Sequence, residues 1–350
     1  MLTLPRVAWA APERVQDALD LLAANASRAA TEGDVAARRG PVVPVAGGTD
    51  VIPNLKHRLL EVETLVSLSR LAAPEWRGVR QEADGVHVGA LTPLSEAASD
   101  PVLRARHPAL AEAYALVASP QIRNMGTVGG NLCLDTRCTY YNQTSFWRQS
   151  LGYCLKREGD KCHVVLGGTR CVAASSSDGV TMLIALSAEA RVVSQSGERW
   201  TRVEDLFLGE GRRHLKLEPS ELVAEVRIPP APETQRAAYR KLRSRAAIDF
   251  PVLSVAAVVT RNGSKQLRDV RIVVSGLGAK PRVVAGLEKL LPGAEVGPEW
   301  VARVVEHAAR QCHPLTNIPI DTGWRKEMVP VFVRRALLGA LDAAGASGAS

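Results

Sequence analysis

The sequence predicts a protein of mixed helices and strands that is divided into two domains. Its 350 residues are too many for one domain of about 150 residues. Apolar residues make up 46% of the chain, which is enough for a packed core and excludes a disordered protein. Three prolines between Pro229 and Gln235 interrupt the pattern, so we place a domain boundary near residue 232.

In the first domain, helical patterns alternate with short apolar runs. Helical spacing of apolar residues predicts helices over 13–32, over 95–116 with an interruption at His107–Pro108, and over 181–190. Apolar runs and alternation predict strands over 41–46, 65–68, 86–88, 190–194 and 221–228.

The second domain begins with strands and ends with helices. We expect strands over 252–260 and 268–276, followed by helices over 281–292, 298–311 and 329–343. The chain closes on GASGAS, which predicts a disordered tail over 341–350.

Charge and hydropathy exclude several classes of function. Lys and Arg total 44 against 36 Asp and Glu, and this mild net charge of +8 is scattered along the chain, so we expect no nucleic-acid interface. No run reaches the roughly 18 apolar residues of a membrane helix, and residues 1–12 do not form a secretory signal. We therefore expect a cytoplasmic protein that does not bind membranes.

Two glycine-rich loops indicate an anion site. Gly47–Asp50 follows a predicted strand, and Gly126–Asn131 holds three glycines and a threonine. Glycine lets the backbone approach a phosphate, and successive N–H groups can form an anion-binding hollow. Neither loop is a Walker A motif or a dinucleotide fingerprint. Two such loops in one domain predict a ligand with a pyrophosphate.

Five motifs in order carry a family resemblance. They are AGGTD (46–50), GALTPLSEA (89–97), QIRNMGTVGGNL (121–132), SSDGVTMLIAL (176–186) and YRKLRSRAAIDFPVLSVAAVV (239–259). Together they resemble the FAD-binding medium subunit of the molybdenum hydroxylases, the group of carbon monoxide dehydrogenase and xanthine dehydrogenase. The resemblance implies an α+β fold with a two-lobed FAD-binding domain of the vanillyl-alcohol-oxidase (PCMH) type over 1–232. It places the lobe boundary near residue 58, and a smaller C-terminal α/β domain of the CO dehydrogenase flavoprotein type over 233–340.

The resemblance also implies which residues hold the FAD. Backbone N–H groups of the two loops would bind the pyrophosphate, and Asp178 would contact the polar chain of the flavin. Lys241 would lie near the isoalloxazine, although its spacing fits an exposed strand lysine equally well. The implied loop residues are Ala46, Gly47, Gly48, Thr49, Asp50, Val51, Thr127, Val128, Gly129, Gly130, Asn131 and Leu132.

Cysteines are concentrated in one long segment, 133–174, which we name the cysteine insertion. Five of the six cysteines of the chain lie within 39 residues there, a pattern more typical of metal binding than of disulfides in a reduced compartment. Four of them are candidate thiolate ligands of a 4Fe–4S cluster: Cys138, Cys154, Cys162 and Cys171. Cys133 is an alternative to Cys138, and zinc is an alternative metal, although structural zinc sites favour closely paired cysteines.

The insertion is similar to that of one subfamily, the β subunits of 4-hydroxybenzoyl-CoA reductases. This implies a flavin and 4Fe–4S subunit of a heterotrimer, doubled in the assembly, whose partners carry 2Fe–2S clusters and a molybdenum pterin. A ferredoxin-like carrier would deliver electrons, and the molybdenum site would remove a phenolic hydroxyl from an aromatic acyl-CoA. A related hydroxylase or dehydrogenase acting on another aromatic or heterocyclic substrate is the alternative. A zinc-stabilised binding protein is the third interpretation.

Overall fold

The computed structural model describes residues 2–32, 41–262 and 266–345. Three sheets organise these residues, each with its own helices. One sheet has three strands, the next has five and the last has four. The mixed α+β class predicted from the sequence is confirmed.

The first lobe is a small parallel sheet with two helices. Its elements are β1 (Ala8–Ala10), α1 (Val15–Glu32), β2 (Val42–Val45), α2 (Val51–Lys56) and β3 (Thr64–Ser67). Strand β3 is central and pairs in parallel with both β1 and β2. The lobe therefore continues beyond the boundary expected near residue 58, because its central strand lies after that point. Val45, Leu55 and Leu65 form part of its small core.

The second lobe contains an antiparallel sheet in the order β4-β5-β8-β6-β7. Its strands are β4 (Val79–Glu82), β5 (Gly85–Gly89), β6 (Glu189–Ser194), β7 (Gly197–Arg202) and β8 (Leu222–Ile228). Its helices are α3 (Leu94–Ser99), α4 (Pro101–Arg106), α5 (Pro108–Ala115), α6 (Pro120–Met125), α7 (Val128–Leu132), α8 (Ser145–Ser150) and α9 (Asp178–Ala185). The expected interruption at His107–Pro108 is present: α4 ends at Arg106, and Pro108 opens α5.

The C-terminal domain covers one face of an antiparallel sheet with two helices. Its elements are β9 (Gln235–Leu242), β10 (Leu253–Arg261), β11 (Leu267–Ser275), β12 (Arg282–Val283), α10 (Pro298–Arg310) and α11 (Thr322–Gly345). Successive β10 side chains alternate between two cores, as strand geometry requires. Val255 and Ala257 pack in the core that contains α10 and α11, whereas Ala256 and Val258 pack in the core of the second lobe. This sheet therefore joins the two domains.

Two expectations for the C-terminal domain are corrected. Residues 281–292 do not form one helix, because Arg282 and Val283 pair with β11 and only Leu287–Leu290 form a short 3-10 turn. The last helix runs from Thr322 to Gly345, so the expected tail cannot begin at 341; residues 346–350 lie outside the described residues. None of the described helices has the length and apolar character needed to span a bilayer.

Candidate functional site

A large cavity of about 1290 Å³ is lined by both lobes and by the C-terminal domain. We call it the large cavity. The first glycine loop contributes all six residues that were expected to hold a cofactor, Ala46 to Val51. This loop connects the end of β2 to the start of α2, so its backbone N–H groups lie at a helix N-terminus.

The N–H groups of the first glycine loop are available to a ligand. In the part of the chain that the structure describes, those of Gly47, Gly48 and Thr49 donate to no protein acceptor. Gly48 has φ +71°, a conformation that favours glycine. Backbone donors in such a turn can satisfy an anion such as a pyrophosphate.

Gly47 lies where the two glycine loops touch. A Cβ on this residue would lie 1.7 Å from the carbonyl oxygen of Met125, just before the second loop. Only glycine allows the two loops to approach this closely. The two motifs, which are about 80 residues apart in the chain, therefore form one continuous cradle.

The second glycine loop is held differently from the expectation. The N–H groups of Val128, Gly129 and Gly130 donate to Thr92 O (3.0 Å), Ala90 O (2.8 Å) and Thr127 Oγ1 (3.1 Å). These three groups already donate within the protein, so they are less available to a pyrophosphate than the N–H groups of the first loop. The residues of this loop that line the large cavity are Gly126, Thr127, Gly129, Gly130 and Asn131. Val128 and Leu132 instead pack in the second-lobe core.

Asp178 lines the large cavity, and Lys241 lies behind it. The Lys241 ammonium donates to Asp178 Oδ2 at 2.9 Å and to Leu116 O at 2.9 Å, and its side chain is only 1% exposed. Tyr239 donates to Asp178 Oδ1 at 2.6 Å. Burial raises the pKa of Asp178 and lowers the pKa of Lys241. Lys241 is therefore neither an exposed strand lysine nor part of the cavity wall, but a buried partner that orients Asp178.

The four predicted cysteine ligands meet at a second, smaller cavity, which we name the cysteine cavity. All four are buried and line it: Cys138, Cys154, Cys162 and Cys171. Burial raises the pKa of Cys138 to about 12 and that of Cys171 to about 11, so a metal bound there would displace thiol protons. The alternative ligand Cys133 is only half-buried and lines the large cavity instead.

Hydrogen bonds close the cysteine insertion at its base. Arg137 and Ala174 pair their backbones, with N–O distances of 2.8 and 2.6 Å. The buried Arg148 donates to Arg58 O at 2.9 Å, which fixes the insertion to the first lobe. Asn317 fixes it to the C-terminal domain by donating to Val172 O at 2.7 Å. The insertion is thus a packed unit with its own attachment points.

Several residues of these cavities were not predicted as site residues. Arg137 pairs with Asp50 of the first glycine loop and lies 4.4 Å from the ring centre of Phe250. Lys156 lines both cavities. The only sequence signal for Arg137 and Lys156 is that each lies within two residues of a candidate cysteine ligand. Phe250 lies in the middle of the last family motif, with no chemical signal of its own.

The large cavity, with unsatisfied N–H donors and a glycine-only contact between its two loops, defines a nucleotide-cofactor domain. Comparison with known families agrees. Residues 5–231 match the model of the FAD binding domain in molybdopterin dehydrogenase, and residues 237–340 match that of the CO dehydrogenase flavoprotein C-terminal domain. The chain belongs to this family of FAD-binding molybdenum hydroxylase subunits.

Individual relatives cover nearly the same length. The carbon monoxide dehydrogenase medium chain of Hydrogenophaga pseudoflava is 27% identical over 333 residues, 95% of this chain and 96% of that protein. The aldehyde oxidoreductase FAD-binding subunit of Escherichia coli is 31% identical over 278 residues, which are 75% of this chain and 84% of that protein. A solved structure of the Hydrogenophaga pseudoflava carbon monoxide dehydrogenase superposes with a TM-score of 0.76 at 25% identity, covering 98% and 99% of the two chains. The expected FAD-binding domain with its C-terminal domain is therefore confirmed.

Proposed function

We propose that the first glycine loop holds the FAD pyrophosphate and that Asp178 contacts the polar chain of the flavin. The free N–H groups of Gly47, Gly48 and Thr49 support the first assignment. The position of Asp178 in the wall of the large cavity supports the second. The contact between the second loop and Gly47 would then shape the cradle rather than supply most of its donors.

We propose further that Cys138, Cys154, Cys162 and Cys171 hold a 4Fe–4S cluster. The single observation that carries this proposal is the meeting of these four buried thiols at one cavity beside the large cavity. The backbone N–H of Val165 donates to Cys162 Sγ at 3.5 Å, a type of bond that tunes iron–sulfur sites. The thiols supply the donor set that such a cluster requires.

The sulfur spacing favours a cluster over zinc. At a Zn–S distance of about 2.3 Å, tetrahedral geometry holds thiolates about 3.8 Å apart. Among the described residues, no three of these cysteine sulfurs lie within 4.8 Å of one another. A cluster with several metal ions spreads its ligands further apart, so the arrangement supports iron–sulfur ligation and weakens the zinc-binding alternative.

These two sites make the chain an electron-transfer subunit. A bound FAD would exchange electrons in pairs or singly, and a bound 4Fe–4S cluster would pass them singly. We propose partner subunits with 2Fe–2S and molybdenum pterin centres in a dimerised heterotrimer, and an external ferredoxin-like donor. In a 4-hydroxybenzoyl-CoA reductase, exchange of the phenolic hydroxyl for hydrogen consumes two electrons and two protons and releases water. The resemblance of the cysteine insertion to that of the 4-hydroxybenzoyl-CoA reductases is what supports this direction.

A hydroxylase or dehydrogenase subunit is the second candidate. The relatives named above belong to oxidoreductases of different substrates, carbon monoxide and aldehydes. This variety shows that the FAD fold itself does not select a substrate. If the assembled enzyme oxidises an aromatic or heterocyclic compound, electrons would leave through this chain instead of entering.

Anaerobic purification of the assembled enzyme tests the proposal. FAD, iron, acid-labile sulfide and zinc should be measured per copy of this chain. EPR spin counting after dithionite reduction gives the number of 2Fe–2S clusters in any partner, whose iron and sulfide are then subtracted from the totals. We expect one FAD, four iron and four sulfide in this chain. Zinc, or no metal, with FAD present would refute the cluster. Reduction of 4-hydroxybenzoyl-CoA by a low-potential donor then separates the two candidate reactions.

A further inference from the structure

Lys156 is a buried cation within the cysteine insertion. Its side chain is 1% exposed, and its ammonium donates to Asp135 Oδ1 at 2.8 Å and to Gly211 O at 2.9 Å. It also donates to the carbonyl and hydroxyl oxygens of Thr136, at 3.1 and 2.5 Å. Burying a charge is costly unless it is paired and bonded, and here both conditions are met.

The position of Lys156 is more informative than its bonding. Three residues line both the large cavity and the cysteine cavity: Tyr141, Leu155 and Lys156. They form the wall between the two proposed redox sites, and we call them the shared wall. Lys156 Nζ lies 4.6 Å from the ring centre of Tyr141, so the only charged member of the wall packs on its aromatic member.

The ion pair of Lys156 with Asp135 is placed asymmetrically between the two cavities. Asp135 lines the large cavity, whereas its partner Lys156 also lines the cysteine cavity. Of the two charged residues, only Lys156 borders the cysteine cavity, so the positive member of the pair is the one nearer the cysteines. In a site of low dielectric constant, a fixed pair of this kind favours negative charge on the cysteine side.

We propose that Lys156 and Asp135 set the balance of electrons between the cluster and the flavin. An added electron makes a cluster more negative, and the Lys156 ammonium stabilises that state. Asp135 opposes it and holds the ammonium in place. The proposal rests on the proposed 4Fe–4S site. Lys156 thus acts as a positioning residue for charge and contacts no substrate.

Opposite substitutions distinguish this role from simple packing. Lys156→Met removes the positive charge and keeps much of the side-chain volume, so the cluster should become harder to reduce. Asp135→Asn removes the negative charge and keeps an amide oxygen for Lys156, so the cluster should become easier to reduce. A purely structural role would change the iron content without shifting the potential in opposite directions.

The test is an EPR-monitored redox titration of the assembled enzyme. At a fixed solution potential, Lys156→Met should lower the ratio of reduced to oxidised cluster about tenfold, which is 59 mV for a one-electron couple. Asp135→Asn should raise this ratio. Lys161→Met is the matched control, because Lys161 is exposed beside Cys162 and water screens its charge. Its titration should match the wild type.

The outcomes separate the two proposals. If the wild-type chain holds no 4Fe–4S cluster, the proposed function fails and the inference fails with it. If the cluster is present and neither substitution shifts the ratio, only the inference is overturned. If Lys156→Met loses its iron, the redox titration of Asp135→Asn tests the inference instead. A raised ratio of reduced to oxidised cluster in that variant supports the inference, and an unchanged ratio overturns it.

Discussion

Gly47→Ala is the substitution expected to damage the flavin site most directly. The new Cβ would lie 1.7 Å from Met125 O and 2.4 Å from the carbonyl carbon. Both atoms belong to the backbone, so no side chain can rotate away. Because real Cβ contacts do not fall below 3.0 Å, the two glycine loops would have to separate by at least 1.3 Å, the difference between 3.0 and 1.7 Å.

The cost of this separation is measurable. Overpacking of this kind costs about 1–3 kcal/mol of folding free energy. The cradle would also lose its shape for the pyrophosphate, and we expect the dissociation constant for FAD to rise at least about tenfold, or 1.4 kcal/mol. Flavin per chain after gel filtration and flavin fluorescence on dilution measure the loss. Gly278→Ala is the control, since its Cβ would meet nothing within 4 Å and Gly278 does not line the large cavity. Wild-type flavin affinity in Gly47→Ala would refute the reasoning.

Three further perturbations have expected outcomes. Cys154→Ser should remove iron and leave FAD bound, because backbone hydrogen bonds close the insertion independently of the cysteines. Cys312→Ala is the control, and loss of FAD together with iron in Cys154→Ser would contradict this expectation. Asn317→Ala leaves the carbonyl of Val172 without its side-chain donor, so the free energy of unfolding should fall by about 1–3 kcal/mol. Thermal melting measures this loss, and an unchanged melting temperature would count against the prediction. Burial lowers the pKa of His107 from 6.5 to about 4. The neutral imidazole therefore contributes its full stability above pH 6.5, and this contribution declines by up to about 3 kcal/mol as the pH falls toward 4. Denaturation midpoints of His107→Gln should depend less on pH over that range.

The glycine loops could be predicted from sequence because the need for glycine is visible in the residue types of the loop itself. Glycine is preferred in a turn where φ is positive or where the backbone must approach something closely. The group that approaches each glycine lies in another segment of the chain. At Gly129 a Cβ would lie 2.7 Å from Ala90 Cβ, so this glycine is already required for a contact within the protein. The sequence identifies the need for glycine but not the group that approaches it.

The errors in the C-terminal domain have tertiary causes. The last helix was expected over 329–343. It begins at Thr322 instead, with Pro330 inside. The buried Arg325 fixes this first turn by donating to Leu315 O at 2.7 Å and to Gly276 O at 2.6 Å. Those acceptors belong to other segments, which single-sequence periodicity does not reveal.

The cysteine insertion shows where spacing alone stops being informative. The intervals of 16, 8 and 9 residues match no short metal motif, so the sequence identifies thiol donors without fixing their geometry. The geometry comes from contacts with distant segments, including Asn317, which lies 145 residues from its partner Val172. The first lobe, through Arg58, and the C-terminal domain therefore both position the insertion. A cluster held in this way would keep a fixed relation to the large cavity, which is what electron transfer between two centres in one subunit requires.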